Sequence, residues 1–164
     1  MQLPTPIELI DRLAEQIRPS LSPDCALVGI HTGGVWVMEA LAQRLGAELP
    51  RGSLDIAFYR DDFSRIGLHP VVKPSRIGFE VEGRRLLLVD DVLYTGRTVR
   101  AAMNQLFDYG RPAAIRLAVL VDRGGRELPI CPDFVGFTLE LPDDRHLSLT
   151  RSADGRLDFV QGAA

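Results

Sequence analysis

The sequence predicts an α/β protein, one domain over residues 1–164 built on a mainly parallel, twisted sheet flanked by helices. Three observations predict it. Apolar runs of strand length recur at "CALVGI" (Cys25–Ile30), "RRLLLVDDV" (84–92) and "AIRLAVLVD" (Ala114–Asp122). Segments of helical period lie between them. The runs are too uniformly apolar for a sheet with one wet face, so both faces are covered, as when helices flank parallel strands. A length of 164 residues suits one domain with its own core, and 46% apolar with 25% charged residues excludes a disordered chain or a coiled coil.

In chain order, Pro6 is a first-turn residue opening "PIELIDRLAEQIR", in which Ile7, Ile10, Leu13, Ala14 and Ile17 form an amphipathic stripe. "CALVGI" is a buried strand ending in "HTGG", and "VWVMEALAQRLGAEL" a helix after it. "LDIAFYR" (54–60) reads as a strand with Leu54, Ile56 and Phe58 on one face. Residues 61–78 mix charges, glycines and prolines without a period, the signature of a long mobile loop of the kind that serves as a lid. "RRLLLVDDV" is the next strand. "TVRAAMNQLFDYG" is a helix with Val99, Met103, Leu106 and Phe107 inward and Gly110 as its stop, and "AIRLAVLVD" is a fourth strand. After Arg126, "DFVGFTLEL", "HLSLT" and "RLDFV" are short strands that finish the sheet or form a cap. There is no internal repeat and no low-complexity tract.

No segment reaches the ~18 consecutive apolar residues of a membrane span. The first twenty residues lack the basic-then-apolar order of a secretory signal, so the expected location is the cytoplasm. Cys25 and Cys131 belong to no CxxC pair and read as reduced thiols, with no structural metal site. A net charge of -3 gives no whole-chain field for tight, nonspecific nucleic-acid binding.

A parallel α/β sheet binds its ligand beyond the carboxyl ends of the strands. His31 to Gly34, Asp90 to Thr98 and Asp122 to Arg126 all fall there. In "YTGRT", at a helix start, Gly96 lets the backbone come close, Thr95 and Thr98 add hydroxyls, and Arg97 adds charge. That is an anion nest, and phosphate is its natural occupant. Asp90 and Asp91 cannot bind phosphate directly. They suit a vicinal diol, or the water shell of a magnesium ion held against a phosphorylated sugar. Taken singly, the acids merely end a strand and Thr95 caps a helix; together and in order they describe a ribose-phosphate site.

"LLLVDDVLYTGRTVRAAM" resembles the phosphoribosyl-pyrophosphate loop of the type I phosphoribosyltransferases. With "LDIAFYRDD" before it and "GRPAAIRLAVLVDRGGRELPI" after it, the chain is similar to the branch that combines uracil phosphoribosyltransferase with pyrimidine-operon regulation, from about Val28 to Val135. The resemblance implies that family's fold, with a small hood and a flexible lid. It also implies transfer of a 5-phosphoribosyl group from phosphoribosyl pyrophosphate to uracil, giving UMP and pyrophosphate, with Mg2+ bound through the donor and Asp90, Asp91 and Asp122 as acids within its reach. By position, Asp90, Asp91, Val92, Leu93, Tyr94, Thr95, Gly96, Arg97 and Thr98 hold the ribose and its 5′-phosphate, with Asp90, Asp91 and Arg60 in the catalytic set. The oxocarbenium-like transition state needs charge stabilisation and alignment, and no covalent nucleophile.

His31, Thr32, Gly33 and Gly34 match the pyrophosphate loop. Relatives carry a Lys and an Arg there; this chain has His31 and Gly33. At ~1.5–3 kcal/mol per charged hydrogen bond, two lost cations remove several kcal/mol of leaving-group stabilisation, which shifts weight to magnesium, Arg60 and the lid. His31 is either a catalytic neighbour of the leaving group or a polar residue beside a helix. Asp61 and Asp62 in "YRDD" are the lid hinge or a solvated turn. Val121, Asp122 and Arg123 fall at the base pocket, while Arg126 and Glu127 form a surface ion pair. The resemblance also implies a dimer and an RNA partner. RNA phosphates require clustered Lys or Arg, and this chain offers Lys73 and scattered arginines. A phosphoribosyltransferase for another base, and a weakly catalytic sensor of UMP or phosphoribosyl pyrophosphate, are the alternative functions.

Overall fold

A computed structural model describes residues 2–46, 48–56 and 75–164. The first helix, α1 (Pro6–Ile17), is opened by a capping box: the Glu8 amide donates to Thr5 Oγ1 and the Thr5 amide to the Glu8 carboxylate, which these bonds hold below the usual glutamate range. Its buried stripe is Pro6, Leu9, Ile10, Leu13, Ala14 and Ile17. Ile7, expected inward, is half exposed, because positions 6, 9, 10, 13, 14 and 17 keep the helical period and 7 does not.

The chain then forms β1 (Cys25–Ile30), α2 (Gly33–Leu45), β2 (Arg51–Leu54), β3 (Arg76–Ile77), β4 (Arg85–Leu93), α3 (Arg97–Phe107), β5 (Ala114–Asp122) and β6 (Phe134–Thr138). The sheet order is β3-β2-β1-β4-β5-β6, parallel throughout except for β3, which runs antiparallel to β2. The strands separate two cores. Leu27, Leu87, Val89 and Leu120 meet α1 and α2 on one face; Val28, Leu88, Leu117 and Val119 meet α3 on the other. Alternate residues thus bury opposite faces, which explains the uniformly apolar runs.

Three expectations change. β2 lies three residues earlier than expected, since register with β1 places Leu54 beside Ile30; Leu54 and Ile56 are buried as expected, and Phe58 lies outside the described residues. Arg76 and Ile77, expected in the loop, pair with Ser53 and Gly52 as an edge strand. Phe107 is exposed, because Val99, Ala102 and Leu106 already complete the inward face of α3. Asp90 and Asp91 lie inside β4, as the strand reading of 84–92 has them, and the pairing of Val92 and Leu93 with Val121 and Asp122 carries the strand one residue further.

Of the weak C-terminal signals, β6 finishes the sheet. β7 (Arg145–Arg151) and β8 (Leu157–Ala163) form a separate antiparallel hairpin, whose Leu147 and Leu149 pack into the α1–α2 core. This hairpin is the hood. Among the described residues no helix is long and apolar enough to cross a membrane.

Candidate functional site

The order β2-β1-β4-β5 reverses direction between β1 and β4, and such a switch point opens a crevice at the carboxyl ends of the strands. From β1 the chain turns through His31 and Thr32, joined by a cis peptide, and enters α2 at Gly33. From β4 it passes Tyr94 and Thr95 and enters α3 after Gly96, whose φ of 92° lies in the left-handed region that favours glycine. Neither helix carries an acid in its first turn, so two positive helix ends meet one cleft of about 550 Å³.

Asp90 is nearly buried, and its Oδ1 accepts the Asp91 amide at 2.9 Å. The Asp91 carboxylate lies so close to Gly33 that a Cβ there would overlap it. Gly34 presses against the Val89 carbonyl in the same way. Small residues on the β1–α2 turn therefore let the paired acids stand directly beside it. This is a physical reason for "GG" in "HTGG" that needs no ligand.

The turn expected to hold an anion is organised by the chain after β5. Thr95 Oγ1 accepts the Arg97 amide at 3.2 Å, and the Thr95 carbonyl accepts the amides of Glu127 and Leu128. Arg126 staples the two loops, donating to the Tyr94 carbonyl at 2.8 Å, the Ile130 carbonyl at 2.9 Å and Asp122 Oδ2 at 2.6 Å. Arg97 pairs with Glu127 at 2.7 Å on the exposed rim. The expected Arg126–Glu127 pair is thus replaced by Asp122–Arg126 and Arg97–Glu127, since the Arg126 guanidinium is turned to Asp122 and to the Tyr94 and Ile130 carbonyls.

His31, Thr32, Gly33, Asp90, Asp91, Val92, Tyr94, Thr95, Arg97, Thr98 and Arg123 all line the cleft. Gly34, Leu93 and Gly96, expected in the same site, do not line it: Leu93 is buried in the core, Gly34 packs on the Val89 carbonyl and Gly96 on Ile130. Val121 is wholly buried in the core, and the Asp122 carboxylate is held by Arg126 and the Gly124 amide, so neither reaches the cleft. Arg60, Asp61 and Asp62 lie outside the described residues.

The hood adds residues that sequence reasoning missed, among them Asp143, Arg145, His146 and Ser148. Arg145 precedes Leu147 and Leu149 on the same strand face, and its guanidinium has no carboxylate or carbonyl partner among the described residues. The available signal was "DDRH", but by itself that string reads as a solvated turn. Among the described residues no three His, Cys, Asp or Glu side chains gather to hold a metal.

Residues 2–148 match the family model described as a phosphoribosyl transferase domain. The chain is 55% identical over 157 residues, 93% of its length and 92% of the relative's, to the Bifunctional protein PyrR of Pseudomonas paraeruginosa. It is 52% identical to that of Pseudomonas fluorescens, with 97% of each chain covered. Among solved structures, a purine phosphoribosyltransferase from Pyrococcus horikoshii superposes with a TM-score of 0.62 at 27% identity, covering 82% of this chain and 83% of that one. A hypoxanthine phosphoribosyltransferase from Staphylococcus aureus gives 0.63 at 23% identity, covering 84% and 74%, and shares the fold.

Proposed function

The chain belongs to the phosphoribosyltransferase family, in its PyrR branch, and from that premise we propose that it transfers the 5-phosphoribosyl group of phosphoribosyl pyrophosphate to uracil, giving UMP and pyrophosphate. The observation that carries the reading is one cleft in which two helix N-termini flank a pair of adjacent acids. A donor with a phosphate at one end, a diphosphate at the other and a diol between them matches that sequence of charges.

In this reading the tip of α3, with Thr95, Arg97 and Thr98, holds the 5′-phosphate. Asp90 and Asp91 accept from the ribose hydroxyls, and their charge favours the cation that develops as the anomeric carbon–oxygen bond to diphosphate breaks and the bond to the base nitrogen forms. The tip of α2, with His31 and Thr32, receives the departing diphosphate, and Arg145 from the hood supplies a guanidinium that the β1–α2 turn lacks. Asp90 and Asp91, hard oxygen ligands beside one another, are the residues that would hold an Mg2+ ion together with the donor. Magnesium bound that way would neutralise the leaving group.

The name of the Pseudomonas relatives, bifunctional, supports a second and regulatory use of the same pocket, in which UMP occupancy governs a contact with an RNA leader. Filter binding of such an RNA with and without UMP tests it, and size-exclusion chromatography tests the expected dimer. The primary experiment mixes the protein with phosphoribosyl pyrophosphate, Mg2+ and each free base. Uracil is expected to yield UMP, and replacing Asp90 and Asp91 with Asn to cut the rate at least a hundredfold, given ~1.5–3 kcal/mol per charged hydrogen bond lost. Turnover of hypoxanthine but not uracil would overturn the base assignment. A double variant with full activity would overturn the role of the acids.

A further inference from the structure

We propose that Tyr94, Arg123 and Asp143 form a clasp that ties the hood to the anion nest, so that the two ends of the cleft move as one. The proposal rests on the nest reading above and adds three positioning residues to it. A two-stranded hairpin is marginal alone, so what holds β7 and β8 over the cleft decides the shape of its second wall. Leu147 and Leu149 anchor the middle of the hairpin in the core. Its entrance, residues 142 and 143, is caught by two side chains from the sheet. Arg123 Nη2 donates to the Pro142 carbonyl at 3.1 Å, and the Tyr94 hydroxyl donates to Asp143 Oδ1 at 3.1 Å.

These two side chains are themselves coupled. The Arg123 guanidinium stacks over the Tyr94 ring, 3.9 Å from its centroid, and Gly125 closes on the same ring so tightly that a Cβ would run into it. Arg123 is only 4% exposed, has no carboxylate pair among the described residues, and leaves its Nε buried without a partner. Burying a cation with one nitrogen unpartnered is costly. What holds it there is the Tyr94 ring on the nest side and the Pro142 carbonyl on the hood side. Tyr94 immediately precedes Thr95, whose hydroxyl and carbonyl organise the nest, so an anion that fixes Thr95 also fixes the Tyr94 ring, and through it the Arg123 plane and the hood entrance. Linkage makes the effect reciprocal: a diphosphate gripped by Arg145 of the hood tightens the nest.

The test is hydrogen–deuterium exchange of the hairpin amides in the wild type and in Tyr94→Phe, Asp143→Ala and Asp143→Asn, with and without inorganic phosphate, together with KM values for both substrates. Tyr94→Phe and Asp143→Ala are expected to speed exchange across 145–151 and 157–163 and to raise the KM for phosphoribosyl pyrophosphate, whose two ends meet the nest and the hood, each by about threefold to tenfold, the range one hydrogen bond commands, with the KM for uracil moving less. Asp143→Asn keeps the acceptor oxygen and is expected to behave as wild type. Phosphate is expected to slow hairpin exchange in the wild type and not in Tyr94→Phe. Hairpin exchange in Tyr94→Phe equal to wild type overturns the clasp, and Asp143→Asn acting like Asp143→Ala assigns the effect to charge and overturns it as well. A wild type that binds no phosphate overturns the nest reading instead, and the ligand-free comparison of Tyr94→Phe with wild type still decides the contact.

Discussion

The β1–α2 turn separates two kinds of crowding that one pair of variants can tell apart. A methyl group at Gly33 would overlap Asp91 Oδ2 and lie 2.5 Å from its Cγ, so Gly33→Ala is relieved by swinging a carboxylate on a rotatable bond. A methyl at Gly34 would lie 2.5 Å from the Val89 carbonyl oxygen and 3.0 Å from Asp90 Cα, which are backbone atoms of a central strand. Neither glycine has positive φ, so alanine fits both backbones and only space differs. Overpacking of that rigid kind costs ~1–3 kcal/mol. In a domain of this size each kcal/mol moves Tm by ~2–4 °C, so Gly34→Ala is expected to melt about 2–12 °C lower and Gly33→Ala within about 2 °C of wild type. Activity follows another order. An Asp91 carboxylate pushed off its position forfeits a charged hydrogen bond of ~1.5–3 kcal/mol, or roughly 10–150-fold in kcat/KM. Differential scanning fluorimetry and initial rates of UMP formation read both quantities. Wild-type kcat/KM in Gly33→Ala, or melting of Gly33→Ala as low as Gly34→Ala, would refute the argument that this glycine exists to admit the acid.

Arg126→Ala removes three hydrogen bonds and leaves the mostly buried Asp122 carboxylate without its cation; a loss of ~3 kcal/mol is expected, seen as a Tm lower by about 6–12 °C, and a shift under 2 °C would contradict the staple. Cys25 is buried, which pushes its thiol up, whereas Cys131 is exposed, so a disulfide-exchange reagent should titrate one thiol in the native protein and both after unfolding; two fast native thiols would contradict the burial of β1. Arg145→Met is expected to raise the KM for phosphoribosyl pyrophosphate about tenfold, from ~1.5 kcal/mol for a charged hydrogen bond, without lowering Tm, because no partner holds this guanidinium among the described residues; an unchanged KM would remove Arg145 from the leaving-group end.

Much of this molecule was legible because its signals are local. β1, β4 and β5 announce themselves as apolar runs since both faces are buried, and the turn into α3 announces itself because Gly96, at a φ of 92°, stands directly before the helix. The misreadings share a different origin. Ile7 and Phe107 are apolar residues one step off the inward stripe, and composition cannot say which of two adjacent apolar residues a helix turns inward. The start of β2 is fixed by pairing of Arg51–Leu54 with β1, not by the apolar letters that continue past it.

The charges of the cleft carry this contrast furthest. Read along the chain, the turn "HTGG" is short of cations and the transfer reaction short of leaving-group support. In space the cleft also receives Arg123 from the end of β5 and Arg145 from the hood. Arg123, which the sequence places at the base pocket, is 4% exposed, whereas Arg145 reads locally as part of a charged turn and begins a strand whose next inward residues are Leu147 and Leu149. The cations of the cleft are therefore not to be counted on one loop, because a side chain at Gly33 would meet the Asp91 carboxylate, whereas Arg145 comes from another element and lines the same cleft.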